Sequence, residues 1–266
     1  MFKEIFREQV IHCNGVYVVQ NSEQDADCFD GEDVAKWKNR YFEKTWTSHY
    51  LQKNEIYADL INCVLNENKP VVDIATGPGM GFVPEIKIAR PELPCLAIDA
   101  SDVLIQSWKD FFAEHSNLPT VELGQFSLFD LPFEDESVDV YTSYLGIGST
   151  RKGGTGYDKV LSELFRTLKK GGKLFAVEGE WIDKNAFLEL FSKMNREPWN
   201  CFVEEPTWVE RFEEHGFEII SSKLAENKYF ENDDDHELSP IAKSLNIKIG
   251  IALKAYILKK PDDLFI

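Results

Sequence analysis

Residues 71–82 constrain the fold of this chain more than any other stretch. A β-branched run leads into Asp73, and closely spaced glycines follow at Gly77, Gly79 and Gly81. This pattern is typical of a buried parallel strand whose carboxyl end opens onto a ligand, because glycine adopts positive φ and lets a ligand approach the backbone. A plain strand-to-helix turn has the same pattern, so these residues alone leave both interpretations open.

A second strand is predicted over 94–99, and it also ends in a carboxylate, Asp99. Asp99 follows Gly77 by 22 positions. An acid at the end of the second strand binds a nucleoside ribose at an interval of about 20 residues. Ser101 is predicted to cap the next helix.

Further strands are predicted over 121–128, 138–143 and 173–178, and they alternate with amphipathic helices. The clearest helix begins near Tyr157, and we expect glycine at its C-cap in the run Lys169-Lys170-Gly171-Gly172. Strands at 217–222 and from Ile247 onward close the chain. Alternating strands and helices predict a doubly wound α/β fold with a mainly parallel sheet.

Two domains are predicted: an N-terminal hairpin and helical cap over 1–68, and a core over 69–266. Asn14-Gly15 predicts a hairpin over 9–20, interpreted as an accessory flap outside the core. A polar linker follows over 21–32, then a helix from Val34 with Trp37 and Tyr41, and a second helix with Tyr57, Leu60, Ile61 and Val64 on one face. Aromatic segments at 41–50 and in an insertion near 181–204 are predicted to cover the site.

Composition limits the partners. With 29 basic and 46 acidic residues the net charge is −17, which argues against nucleic acid and anionic membranes. Five scattered cysteines, with no Cys-x-x-Cys, favour free thiols in a cytoplasmic protein. No secretory signal, membrane span or metal site is predicted, and the acidic run 231–237 is interpreted as a solvated loop. Monomer and homodimer both stay open.

From about Lys69 to Pro261 the chain resembles the class I S-adenosylmethionine-dependent methyltransferases, in particular the small-molecule group called type 11. The stretch from Val71 to Gly79 is similar to the family's first motif, and Asp99 stands where its ribose-binding acid ends the second strand. The Leu131-Pro132-Phe133 segment and the Leu168-Lys169-Lys170-Gly171-Gly172 segment are similar to the family's sequences before strands four and five. Together these motifs are specific for the cofactor fold, though for no particular substrate.

The resemblance implies a seven-stranded sheet of order 3-2-1-4-5-7-6 with the last strand antiparallel, and S-adenosylmethionine as the cofactor. It also implies cofactor contacts. The first strand and its turn would face the methionine portion, and the second strand would face the ribose and adenosine. The third strand would border the adenine, and the fourth would lie beneath the transferable methyl. The residues concerned, in chain order, are Asp73, Ala75, Thr76, Gly77, Gly79, Asp99, Ala100, Ser101, Ser127, Leu128, Phe129, Ser143 and Tyr144.

Two departures from the family pattern stand out. Ala75 replaces a common glycine, and Ser127 replaces an acid that reads the adenine amino group, which puts that contact in doubt; Asp130 is a poor substitute. A base is required where the acceptor must lose a proton. The sequence offers candidates without selecting one: His12, His49, His215, Tyr144 and Glu180.

The resemblance implies methyl transfer to a small-molecule acceptor, and the aromatic cover suggests an apolar or aromatic one. Three alternatives remain. A non-catalytic protein would bind the cofactor without turnover. A nicotinamide-dependent oxidoreductase shares the strand, glycine and acid pattern, but Phe82 stands where its third glycine would follow. RNA methylation is disfavoured by the net charge.

Overall fold

The computed structural model describes residues 2–7, 9–20, 51–150, 156–195, 207–229 and 238–262, together with residues 31, 34, 35, 42 and 44–47. Several predicted features lie outside the described residues: the linker over 21–30, Trp37 and Tyr41 of the first helix, Trp199 of the insertion, and the acidic run 231–237. Cys13, Cys63 and Cys95 are free, and Cys28 and Cys201 lie outside the described residues.

One mixed sheet of nine strands organises the described structure. The strands are β1 (Val10–Cys13), β2 (Val16–Val19), β3 (Val71–Ile74), β4 (Cys95–Asp99), β5 (Glu122–Gln125), β6 (Val138–Tyr144), β7 (Leu168–Trp181), β8 (Glu218–Tyr229) and β9 (Gly250–Lys259). Their order is β1-β2-β5-β4-β3-β6-β7-β9-β8. From β5 to β8 this is the predicted order 3-2-1-4-5-7-6, and β9 is antiparallel to both its neighbours.

Helices cover both faces of the sheet. They are α1 (Glu55–Glu67), α2 (Val83–Ala89), α3 (Asp102–Glu114), α4 (Gly156–Thr167), α5 (Lys184–Lys193), α6 (Trp208–Glu214) and α7 (Leu238–Ser244). α1, α2 and α3 pack on one face, α4 and α6 on the other, and α5 and α7 form a smaller cluster with Ile249. The helical spacing at 57, 60, 61 and 64 correctly predicted the buried face of α1.

The N-terminal hairpin belongs to the main sheet, so its interpretation as a flap outside the core was wrong. β2 pairs in parallel with β5, with Val16 opposite Leu123, and the sheet therefore has nine strands rather than seven. Tyr17 reinforces this edge, because its hydroxyl donates to Glu122 Oε2 at 2.6 Å. Pairing with β5 hides an edge that would otherwise expose unpaired backbone groups.

The predicted glycine C-cap of α4 was also wrong. α4 ends at Thr167, and Leu168 already begins β7, which extends through both glycines. Gly171 has φ +73° and donates its N–H to the Lys260 carbonyl at 2.9 Å. The two glycines therefore shape the irregular start of a strand.

Candidate functional site

The predicted site residues lie at one edge of the sheet. The parallel strands β5, β4, β3 and β6 are neighbours, and their carboxyl ends meet there. Asp73 to Gly79 follow β3, Asp99 to Ser101 end β4, Ser127 to Phe129 follow β5, and Ser143 and Tyr144 end β6. The carboxyl ends of parallel strands are where ligands bind in open α/β sheets.

The glycine turn after β3 is tied firmly to β4 and α3. Thr76 donates its backbone N–H to the Ile98 carbonyl at 2.9 Å, and the Trp108 indole N–H donates to the Gly77 carbonyl at 3.0 Å. Phe42 stacks on Trp108 with ring centroids 3.7 Å apart. Trp108 was predicted only as part of a helix face, since no sequence signal links it to the turn.

Asp99 connects the carboxyl ends of β3 and β4 through hydrogen bonds. Its Oδ2 accepts the backbone N–H of Gly77 at 3.0 Å, and its Oδ1 accepts that of Ser101 at 3.0 Å. Ser101 caps α3 as predicted, because its Oγ accepts the N–H of Leu104 at 3.2 Å. A carboxylate has about four acceptor positions. The backbone of Ala100 also hydrogen-bonds to Asp99, so about one acceptor position remains for a ligand such as a ribose hydroxyl.

Asp73 lies beneath the glycine turn and is fully buried. Thr142 donates its hydroxyl to Asp73 Oδ1 at 2.6 Å, and burial raises the pKa of Asp73 to about 7. A Cβ added to Gly81 would lie 2.7 Å from both carboxylate oxygens, so the backbone passes directly over this side chain. These contacts favour a role for Asp73 in organising the turn. Its predicted contact with the cofactor amino group stays a prediction.

Open space lies over two of the turn glycines. A Cβ added to Gly77 or Gly79 would have no neighbour within 4 Å among the described residues. Gly77 has φ +58°, and Ala75, two positions earlier, has φ +44°. Left-handed backbone costs a residue with a Cβ about 1–2 kcal/mol, which explains why the similar family commonly has glycine at the position of Ala75.

The polar side chains in the segment after β5 form hydrogen bonds with other groups of the protein. Ser127 Oγ accepts the N–H of Phe129 at 3.3 Å. Asp130, already judged a poor substitute for the missing acid, instead accepts a hydrogen bond from Arg7 at 3.2 Å. Leu128 is buried and Phe129 half-buried. An adenine contact made by this segment would therefore be mainly apolar.

Glu178, three residues before the end of β7, is a third buried carboxylate that sequence reasoning did not select. Its Oε1 accepts the N–H of Ile147 and its Oε2 that of Gly148, both at 3.0 Å. It thereby holds the loop that follows Tyr144. An acid at a strand end was the available signal, as at Asp73 and Asp99, but the sequence did not show that this acid is buried.

Glu178 makes stability depend on pH. Burial raises its pKa from 4.5 to about 8, so the folded state favours the protonated carboxyl. The free energy of unfolding then falls as pH rises through this range, by about 1.4 kcal/mol per pH unit for one group. In urea titrations between pH 5 and 8, we expect Glu178→Gln to gain stability relative to wild type as pH rises. A control, Glu180→Gln, removes a half-buried carboxylate beside Lys254. A constant difference between wild type and Glu178→Gln would contradict this prediction.

Among the candidate bases, Tyr144 lies at the carboxyl edge. His215 caps the end of α6, where its ring contacts the Arg211 carbonyl, and this loop precedes β8 at the opposite edge of the sheet. His12 is exposed on the outermost strand, and Glu180 accepts a hydrogen bond from Lys254. His49 lies outside the described residues.

Comparison with known proteins agrees with this geometry. A family model described as a methyltransferase domain matches residues 72–176, from the first core strand to the fifth. A ubiquinone/menaquinone biosynthesis C-methyltransferase UbiE from Bartonella tribocorum is 30% identical over 141 residues, which are 51% of this chain and 52% of that protein. The matched part of this chain is therefore similar to the class I S-adenosylmethionine-dependent methyltransferases.

A second UbiE protein, from Marinomonas sp., is 27% identical over 135 residues and matches 51% of this chain and 49% of that protein. The chain thus spans about half the length of the curated relatives that it matches.

Solved structures share the fold of the methyltransferase domain. A SAM-dependent methyltransferase from Methanosarcina mazei matches with a TM-score of 0.56 and 18% identity, over 77% of this chain and 98% of that one. The cyclase SpnF matches with a TM-score of 0.52 and 15% identity, over 78% of this chain and 82% of that one. At these identities the likeness concerns the fold alone. In the described part of the chain, none of the helices has the length and apolar character to cross a membrane.

Proposed function

We propose that this protein is an S-adenosylmethionine-dependent methyltransferase that acts on a small-molecule acceptor. Asp99 carries the proposal: its carboxylate accepts hydrogen bonds from the backbones of Gly77, Ala100 and Ser101 and retains about one acceptor position where β3 and β4 end. The open space over Gly77 and Gly79 provides room for a ligand against the backbone. Both features fit the ribose and the methionine portion of the cofactor.

The residues of this chain would bind and orient the reactants. Asp99 would accept from the ribose hydroxyls, the glycine turn would approach the methionine portion, and Leu128 with Phe129 would border the adenine. The bound cofactor supplies a methyl group already activated by its sulfonium. Catalysis then depends mainly on holding the acceptor in line and excluding water.

We further propose an apolar or aromatic acceptor. Tyr144 ends β6 and meets the ring of Phe82 edge to face, with centroids 6.0 Å apart, and Tyr57 lies against Tyr144 at 5.9 Å. Aromatic side chains dominate this end of the site. The curated relatives are named as C-methyltransferases of ubiquinone and menaquinone biosynthesis, which supports the same class of acceptor.

A screen of small aromatic acceptors tests the proposal. Purified protein is incubated with S-adenosylmethionine and each acceptor, and S-adenosylhomocysteine and methylated product are quantified by mass spectrometry. We expect both to form in equal amounts with at least one acceptor and neither in its absence. Cofactor binding without turnover across a broad panel would favour the non-catalytic alternative. The structural likeness to a cyclase makes this a necessary control, since one fold serves different reactions.

A further inference from the structure

A segment without regular structure forms the nucleobase end of the proposed cofactor site. Residues 126–134, called here the base segment, follow β5 and belong to no helix or strand. They include Ser127, Leu128 and Phe129, which are proposed to border the adenine. A segment that becomes ordered only on binding lowers affinity, because the ordering costs free energy. Contacts that hold the base segment in place before binding therefore favour cofactor affinity.

Residues 2–7, called here the strap, pair with the far end of the base segment. Arg7 donates its backbone N–H to the Pro132 carbonyl at 3.0 Å, and Glu134 donates its N–H to the Ile5 carbonyl at 2.9 Å. The residues between them form an isolated antiparallel bridge. These two backbone hydrogen bonds fix the strap and the base segment in register.

The Arg7 side chain adds contacts with the same segment. Its Nε donates to the Phe133 carbonyl at 3.3 Å, and its Nη1 donates to Asp130 Oδ1 at 3.2 Å. The Asp130 side chain is 76% exposed, and an ion pair so open to solvent contributes little stability. Arg7 therefore acts mainly by fixing where the backbone of the base segment runs.

The ring of Phe6 connects both ends of the base segment to the N-terminal hairpin. It stacks on Phe133 with centroids 5.5 Å apart and meets Phe126 edge to face at 5.6 Å. It also lies 4.8 Å from the ring of Tyr17 in β2. Phe126 and Phe133 are buried, and they contact each other edge to face at 5.9 Å. One side chain of the strap thus packs on both sides of the residues that would border the adenine.

Two core elements anchor the base segment as well. Phe126 donates its backbone N–H to the Asp99 carbonyl, at the end of β4, at 3.0 Å. Leu131 donates its N–H to Glu163 Oε2 of α4 at 2.9 Å, and its carbonyl accepts a hydrogen bond from Arg166 Nη2 at 3.0 Å. The base segment is thus held on three sides, by β4, by α4 and by the strap.

Given the proposed function, we propose that the strap positions the base segment for the nucleobase of the cofactor. Phe6 and Arg7 are then positioning residues, which act through the backbone of the base segment. Ser127 stands where an acid would fix the base by a hydrogen bond, so binding depends on the placement of the apolar surface of Leu128 and Phe129. The N-terminal hairpin, which packs on the strap, belongs to the same support.

Calorimetry with two ligands tests this inference without an acceptor. S-adenosylhomocysteine carries both the nucleoside and the amino acid, and 5′-methylthioadenosine carries the nucleoside without the amino acid. We expect Phe6→Ala to weaken the binding of both ligands by the same factor, about tenfold, and Arg7→Ala by about threefold. Gly79→Ala, on the methionine side, should weaken the binding of S-adenosylhomocysteine alone.

Two control variants separate positioning from loss of stability. Phe165→Ala removes another half-buried ring on the same face of the sheet, where it packs edge to face on Phe217. Arg90→Ala removes an arginine of similar exposure, which pairs with Glu92. All titrations are made at a temperature at which each variant is folded. Both controls should keep wild-type affinity for both ligands.

Wild-type affinity of Phe6→Ala for either ligand overturns the inference alone, and so does an equal loss of affinity in Phe165→Ala. If Phe6→Ala does not fold, Arg7→Ala and its control Arg90→Ala decide the question by the same comparison. Failure of wild type to bind S-adenosylhomocysteine overturns the proposed function with it.

Discussion

Gly79→Ala should abolish most cofactor affinity while leaving the protein as stable as wild type. A Cβ at position 79 meets no atom within 4 Å, and this residue does not have left-handed φ. We therefore expect a change in unfolding free energy within about 0.5 kcal/mol. The added methyl group would occupy space proposed for the methionine portion, and we expect calorimetry to show at least about tenfold weaker binding of S-adenosylhomocysteine.

Gly81→Ala is the matched variant two residues away, and unlike Gly79→Ala it should destabilise the protein. Its Cβ would lie 2.7 Å from both oxygens of Asp73, and Gly81 has φ +49°. Backbone strain and the clash together should cost about 3 kcal/mol in urea denaturation. Equal stability of Gly79→Ala and Gly81→Ala, or wild-type affinity in Gly79→Ala, would contradict the geometry assigned to the turn.

Asp99→Ala should lose both affinity and stability. The substitution removes the proposed ribose acceptor, for which we expect a loss in S-adenosylhomocysteine affinity of about tenfold to a hundredfold. It also leaves the backbone N–H groups of Gly77 and Ser101 without their acceptor, at a cost of about 1–3 kcal/mol each if they stay buried.

The control for Asp99→Ala is Asp102→Asn, in the first turn of α3, which follows β4. Asp102 is exposed, so this variant changes the local charge without touching the hydrogen bonds of Asp99. We expect its affinity and stability to stay near those of wild type. Titrations below the unfolding temperature of each variant separate the two effects. A folded Asp99→Ala protein with wild-type affinity would remove Asp99 from the site.

Periodicity and strand-end residues predicted the core of the fold well, because both are local. The four apolar positions of α1 from Tyr57 to Val64 and the cap at Ser101 depend on neighbours a few residues away. Asp99 was also recognisable, since its spacing from Gly77 follows from the length of one strand–helix–strand unit. These features need no knowledge of distant contacts.

The features that sequence reasoning missed depend on contacts between distant segments. Asn14-Gly15 correctly indicated a hairpin, but nothing local indicates that Val16 pairs with Leu123. Nothing local to Glu178 indicates that the loop after β6 covers it and donates two backbone N–H groups to it. The contact between Tyr57 and Glu226 requires a bulge in β8, which leaves no recognisable pattern in its sequence.

Isothermal titration of the wild-type protein with S-adenosylhomocysteine tests whether the carboxyl ends of β3 and β4 form a cofactor site. We expect one molecule to bind per chain, with a dissociation constant on the order of micromolar. Absence of binding by a folded wild-type protein would contradict it and would mean that the glycine turn only connects a strand to a helix.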